Sequence, residues 1–213
     1  MTSGAFTAGV VVLLVSLAAV AGPLVGLSPW WISLLVILGL GSLTVDAARF
    51  GGRGGHLLAE ALPGGEGRLR RIAVHEAGHA LAADSDGLAV RRVLVGSLAC
   101  LRAGVDSGGC TEFALPDSVR LSAEDLRRWS RVLQAGMVAE TLVYGDSVGG
   151  DDDRALLGRL WGLSGFDAAM ARLEQRRARR EVEQALRARR TEIEAEADRL
   201  LAAAPRLGRR PLP

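Results

Sequence analysis

The stretch Arg71-Ile72-Ala73-Val74-His75-Glu76-Ala77-Gly78-His79-Ala80-Leu81-Ala82-Ala83 contains H-E-x-x-H. On a helix, positions i and i+4 lie on one face. His75 and His79 can therefore aim their imidazoles at a single metal ion. Glu76 sits beside that ion without having to bind it. Two nitrogen ligands, an open position for water and a carboxylate to take the water's proton are what a zinc hydrolase uses. The plainer reading is a solvated helix face with partnered histidines. The flanks weigh against it, because Ile72, Ala73, Ala77, Ala80, Leu81 and Ala83 make the helix apolar and small-sided. The histidines are then at least partly buried, and buried polar groups need partners. Gly78 costs about 1 kcal/mol against Ala inside a helix, and it permits close approach of another backbone or of a substrate.

A catalytic zinc takes three protein ligands and keeps one open site. The candidates for the third ligand are His56, a cysteine or a downstream carboxylate. His56 lies in a glycine-rich stretch, where a solvated residue is the plainer reading. Cys100 and Cys110 lack the short C-x-x-C spacing of a zinc site. They read as two small, partly buried thiols in a reducing compartment, with a disulfide as the alternative. The turn Asp146-Ser147-Val148-Gly149-Gly150-Asp151-Asp152-Asp153-Arg154 brings three acids to the start of a helix. Capping and the helix dipole explain such acids, but one cap needs one acid.

The elements that must position these residues follow from pattern. Residues 5–27 and 30–45 are uncharged. A spanning helix needs about 20 apolar residues, so 1–48 reads as a transmembrane helical hairpin with Gly22-Pro23 and Ser28-Pro29 at its junction. Trp30 and Trp31 stand where interfacial anchors belong. A cleaved signal peptide is the alternative for the first segment, but it lacks a basic n-region. Arg49, Arg53, Arg68, Arg70 and Arg71 follow the second segment, and the positive-inside rule then puts the C-terminal part in the cytoplasm. Residues 49–67 read as a Gly-rich linker. The H-E-x-x-H helix ends near Asp84–Gly87. Val90–Val95 and Cys110–Leu115 read as two strands of a small antiparallel sheet joined by a loop. Ser122 opens a helix with a capping-box-like pattern, and Gly145 stops it. Residues 167–203 form an Arg- and Glu-rich amphipathic helix or helix pair, and 204–213 a disordered tail. The fold class is mainly α with a small antiparallel β element (α+β).

At this point the sequence resembles the peptidase domain of the FtsH family of membrane-anchored, ATP-dependent zinc metalloproteases. Patches in the same order carry the resemblance. His75-Glu76-Ala77-Gly78-His79-Ala80 is that family's H-E-A-G-H-A. Gly108–Pro116 is similar to its G-x-T strand leading into L-P. Gly136–Gly145 is similar to its G-R-x-A-E-E-x-x-x-G helix. Gly149–Asp153 falls where the family has T-G-A-S-N-D, whose Asp is the third zinc ligand. An ungapped alignment of that patch makes Asp153 the ligand, and a gap moves the role to Asp152. The resemblance covers 68–203 and implies a zinc peptidase domain there. There are departures as well. The family's ATPase module is marked by Walker motifs. This chain has no G-x-x-x-x-G-K-[ST] and no lysine. Met137 and Thr141 replace the family's Arg and second Glu. Glu140 keeps the first Glu, either orienting a histidine or standing as a surface acid.

The expected function is a membrane-anchored Zn2+-dependent endopeptidase without its own ATPase, with a cytoplasmic catalytic domain. Its partners are a polypeptide substrate, the lipid membrane, and either further copies of itself or a separate ATPase. The site is Glu76 as general base and His75, His79 and Asp153 as metal ligands. The formal net charge of +2 implies no nucleic-acid partner. One rival is a non-catalytic membrane adaptor that keeps the peptidase fold, although a retired site has no reason to keep Glu76. Another is an intramembrane site-2-type protease, but there the motif lies inside an apolar span, whereas here Arg68, Arg70 and Arg71 precede it.

Overall fold

The arrangement below is that of a computed structural model, which describes residues 3–26, 28–50, 57, 60, 64–114, 118 and 120–206. The chain divides into two units, Met1–Gly65 and Glu66–Pro213.

In the first unit the apolar runs form helix α1 (Ser3–Ala21) and helix α2 (Pro29–Phe50), joined by a 3-10 turn at Pro23–Val25. The turn closes at Gly26, whose φ of 76° lets its N–H reach the Pro23 carbonyl. α1 packs against α2. Their other faces are bare hydrocarbon, with Leu13 59%, Ile37 66% and Trp30 79% exposed. The stretch Pro29–Asp46 of α2 has a mean hydropathy of 1.5 and, among the described residues, is the one helix long and apolar enough to cross a membrane. The described apolar part of α1, Val12–Ala21, is shorter than a span.

The second unit begins with helix α3 (Gly65–Asp86), which starts inside the stretch expected to be linker. Most of that stretch, with Arg53 and His56, lies outside the described residues. Strand β1 (Val90–Val95) pairs antiparallel with strand β2 (Gly109–Phe113) in the register Val95↔Gly109, Val93↔Thr111 and Val90↔Phe113. Between them lies helix α4 (Ser97–Arg102), where a loop was expected. Six residues give too few turns for a periodic signal, and the helix is held by burying Ser97, Ala99 and Cys100. β2 ends at Phe113, and Leu115–Asp117 lie outside the described residues.

Helix α5 (Ala123–Tyr144) is the central element. Ser122 Oγ caps it by accepting from Asp125 N at 3.1 Å. Gly145, at φ 86°, ends it in the left-handed conformation. α3 and α5 pack through small residues. A Cβ on Gly78 would stand 2.6 Å from both the Ala135 carbonyl oxygen and the Ala139 methyl, so only glycine permits this approach. Helix α6 (Asp151–Leu163), helix α7 (Ala168–Ala188) and helix α8 (Arg190–Ala203) complete the unit. The expected run over 167–203 is thus a helix pair, broken at Arg189. One core joins α3, α5, α7 and α8 through Val74, Val132, Val138, Val182, Leu186 and Ile193. A second, under α6, holds Leu126, Trp129, Leu133, Leu157 and Trp161. Of the expected tail, Arg206 pairs with Glu66 at 3.0 Å, and 207–213 lie outside the described residues.

Candidate metal centre

His75 and His79 project from α3 toward α5, and both are buried. Each imidazole is fixed through its Nδ1. His75 Nδ1 lies 2.6 Å from Glu140 Oε1, and His79 Nδ1 lies 2.7 Å from the Val132 carbonyl oxygen. A carboxylate and a carbonyl only accept, so both Nδ1 atoms carry hydrogen, which leaves each Nε2 to take a proton or a metal ion. Those two Nε2 atoms stand 3.0 Å apart. Asp153 completes the group from α6, its Oδ2 being 3.0 Å from His75 Nε2 and 3.3 Å from His79 Nε2.

Three basic atoms converging in a buried place repel one another unless a proton or a metal ion sits among them. Ligand atoms at about 2.0–2.1 Å from a tetrahedral zinc stand about 3.3 Å from each other. The separations here fall close to that, and the donor set of two imidazole nitrogens and one carboxylate oxygen suits zinc. The His75, His79 and Asp153 group can therefore hold a metal ion. Room for it is left by Gly136 of α5, where a Cβ would stand 2.5 Å from His75 Nε2 and 2.6 Å from His79 Nε2.

The plainer alternative for the acidic turn, a side-chain cap, is not what is found. α6 has Gly150 at its N-cap and no side-chain cap bond. Asp151 is solvent-facing and pairs with Arg154. Asp152 is exposed, and Asp153 turns inward. Of the two candidate acids, Asp153 is the one that lies beside both histidines. Cys100 and Cys110 form no disulfide, and neither belongs to the group. Burial pushes the Cys110 thiol up to about 11.

Glu140 is no surface acid, being 2% exposed. Besides His75, it accepts from Arg71 Nε at 2.7 Å, Val148 N at 3.0 Å and Gly149 N at 3.3 Å. Arg71 also reaches the Asp146 carbonyl and carboxylate at 2.9 and 2.7 Å. One carboxylate thereby ties α3, α5 and the loop that delivers Asp153. Burial would raise Glu140, but these donors outweigh it and hold it down at about 2. Burial would likewise raise Asp153, and its bonds to both imidazoles keep it below the usual carboxylate range. Burial alone would lower His75, yet Asp153 and Glu140 push it up to about 10. The site is built to hold positive charge. Glu76 is buried at 4% exposure, burial raises its pKa, and its Oε2 accepts from Thr111 Oγ1 at 2.7 Å.

No protein-family model, curated protein or solved structure matches the chain. Sequence reading brought out His75, Glu76, His79 and Asp153 but gave no role to Arg71, Thr111 or the Val132 carbonyl. Arg71 had a usable signal, since it stands one helical turn before His75 and so shares its face. Thr111 stood in the patch that resembles a G-x-T strand, but nothing there pointed to Glu76, and Val132 had no signal, because both contacts depend on the register of β2 and the approach of α5.

Proposed function

We propose that this chain is a membrane-anchored zinc endopeptidase of the FtsH type. The observation that carries the reading is the convergence of His75 Nε2, His79 Nε2 and Asp153 Oδ2 with both Nδ1–H groups pinned, beside a buried Glu76. A zinc ion, when bound, supplies Lewis acidity that acidifies water and polarises a carbonyl. Glu76 takes a proton from the attacking water as its oxygen bonds to the scissile carbonyl carbon. It returns that proton to the amine as the C–N bond breaks. Burial favours the proton-holding form of Glu76, and a neighbouring cation favours the ionised form, so the carboxylate can pass between the two. Glu140 and the Val132 carbonyl hold the imidazole rings in place.

The membrane anchor in this reading is the hairpin of α1 and α2. Its support is the length and apolarity of α2 and the exposed hydrocarbon of both helices. The arginines following α2 support a cytoplasmic catalytic unit. This sequence has no P-loop. In this reading the partners are a polypeptide substrate, a separate ATPase that delivers it unfolded, or further copies of the chain.

The test is cleavage of an unstructured casein-type protein by the zinc-loaded full chain in detergent. Wild type cleaves, and Glu76→Gln lowers the rate by about 10²–10⁴-fold while keeping its zinc. Equal rates would remove Glu76 from the chemistry. A zinc-loaded wild type that cleaves nothing would favour the adaptor reading instead.

A further inference from the structure

Resting on the peptidase reading, we propose that Thr111 is a positioning residue that clamps Glu76 Oε2 and leaves Oε1 to carry the proton. Glu76 is buried. The hydrogen bond that the described residues give it comes from Thr111 Oγ1, at 2.7 Å on Oε2. A carboxylate with one oxygen fixed by a donor cannot spin about its terminal torsion without breaking that bond. The broad two-fold torsion of a free Glu is thereby reduced to one setting.

The other oxygen meets a different neighbour. A Cβ on Gly109 would lie 2.7 Å from Glu76 Oε1 and would also strike Ile72. Any side chain at 109 would cover Oε1, and glycine keeps it open. Both residues sit on β2, two positions apart, so both address the α3 side of the sheet. The strand is firmly seated. Thr111 pairs with Val93 and Gly109 with Val95, and β1 buries Val95 in the main core. Ser107 Oγ bonds the Gly109 carbonyl, and Gly109 N–H donates back to Ser107 Oγ at 3.3 Å. The strand thus treats the two oxygens of one carboxylate unequally. Orientation of a proton acceptor is worth large factors in rate.

The experiment compares wild type, Thr111→Val and Thr111→Ser as zinc-loaded full chains in detergent. Valine keeps the shape, removes the donor and favours a strand at least as well as threonine. Serine keeps the donor. The readouts are kcat and KM on a casein-type substrate, bound zinc, and the 13C carboxyl signal of Glu76, assigned by its loss in Glu76→Gln. Thr111→Val is expected to lower kcat on the order of tenfold with KM and zinc unchanged. It should also move the Glu76 signal, and Thr111→Ser should restore both to near wild type. A Thr111→Val chain with wild-type kcat and an unmoved Glu76 signal overturns the proposal. Equal losses in the Val and Ser variants do so too, since they mark a merely structural residue. If wild type cleaves nothing while its Glu76 signal still responds to Val and not to Ser, the peptidase reading fails and the clamp survives only as structure.

Discussion

The two units of this chain break the usual rule of burial in opposite ways. The N-terminal helices leave leucine, isoleucine and tryptophan side chains bare on their outer faces. The C-terminal unit takes two histidines and three glutamates to 9% exposure or less. Scattered exposed apolar residues are ordinary, but whole helices of them mark a surface that meets something apolar. Buried ionisable groups are costly unless they are paired or coordinate a metal. The first unit has one described helix long and apolar enough to cross a membrane, and the second a buried group that could hold a metal ion.

The largest effect that would sharpen this contrast is loss of the cation site. His75→Ala or His79→Ala is expected to abolish zinc binding, read by metal analysis after dialysis. Unchanged zinc in both would remove the polar half of the comparison. Gly136→Ala tests the same site without touching a ligand. Alanine should steady an α5 interior position by about 1 kcal/mol, yet its methyl would stand within 2.6 Å of both Nε2 atoms. Zinc affinity should fall at least about tenfold as the ligands are pushed apart, and the metal-free chain should gain less than the helix propensity alone would give, because the same methyl crowds both buried imidazoles. Full affinity would mean the cation sits elsewhere.

The apolar half is tested by Ile37→Arg, placed in the α2 stretch. A centrally placed Arg costs about 2.5–3.5 kcal/mol on insertion scales. The variant should shift from the membrane pellet toward the alkaline-extractable fraction. Unchanged extraction would mean that α2 does not lie in hydrocarbon. A reporter active only outside the cytoplasm, fused after Pro213, should stay silent, and a strong signal would reverse the topology.

The smallest effect is a proton count. His75 is raised from 6.5 to about 10, so the metal-free protein carries that proton at pH 7. Zinc must displace it, releasing about one proton per ion, which calorimetry in buffers of different ionisation enthalpy reads directly. Apparent zinc affinity should rise with pH up to about 10. The metal-free fold behaves oppositely. Its stabilisation from this group is complete below 6.5 and fades as pH climbs to about 10. At the acid end Glu140 contributes above 4.5 and loses its share as pH falls toward about 2.

How much of this could be read from the sequence differs between residues for physical reasons. The i, i+4 histidines lie within one helix, and local geometry alone puts them on one face. The strand Val90–Val95, the cap at Ser122 and the stop at Gly145 are local signals too, and each is where its pattern placed it. Asp153 comes from 74 residues beyond His79, and alignment register rather than spacing pointed to it. Glu140 stood open between two roles until its burial among four donors decided the matter. The Thr111 contact depends on strand register and helix packing together, which no local pattern encodes. Helix α4 was invisible because six residues give too few turns for a periodic signal.

The central claim is that His75, His79 and Asp153 together hold a metal. It is tested most directly by zinc stoichiometry of the purified chain and its Asp153→Ala and Asp152→Ala variants. Wild type and Asp152→Ala should each retain about one zinc per chain, and Asp153→Ala, left with two ligands for an ion that takes three, should retain almost none. Full zinc in Asp153→Ala, or its loss in Asp152→Ala instead, would contradict the centre described here.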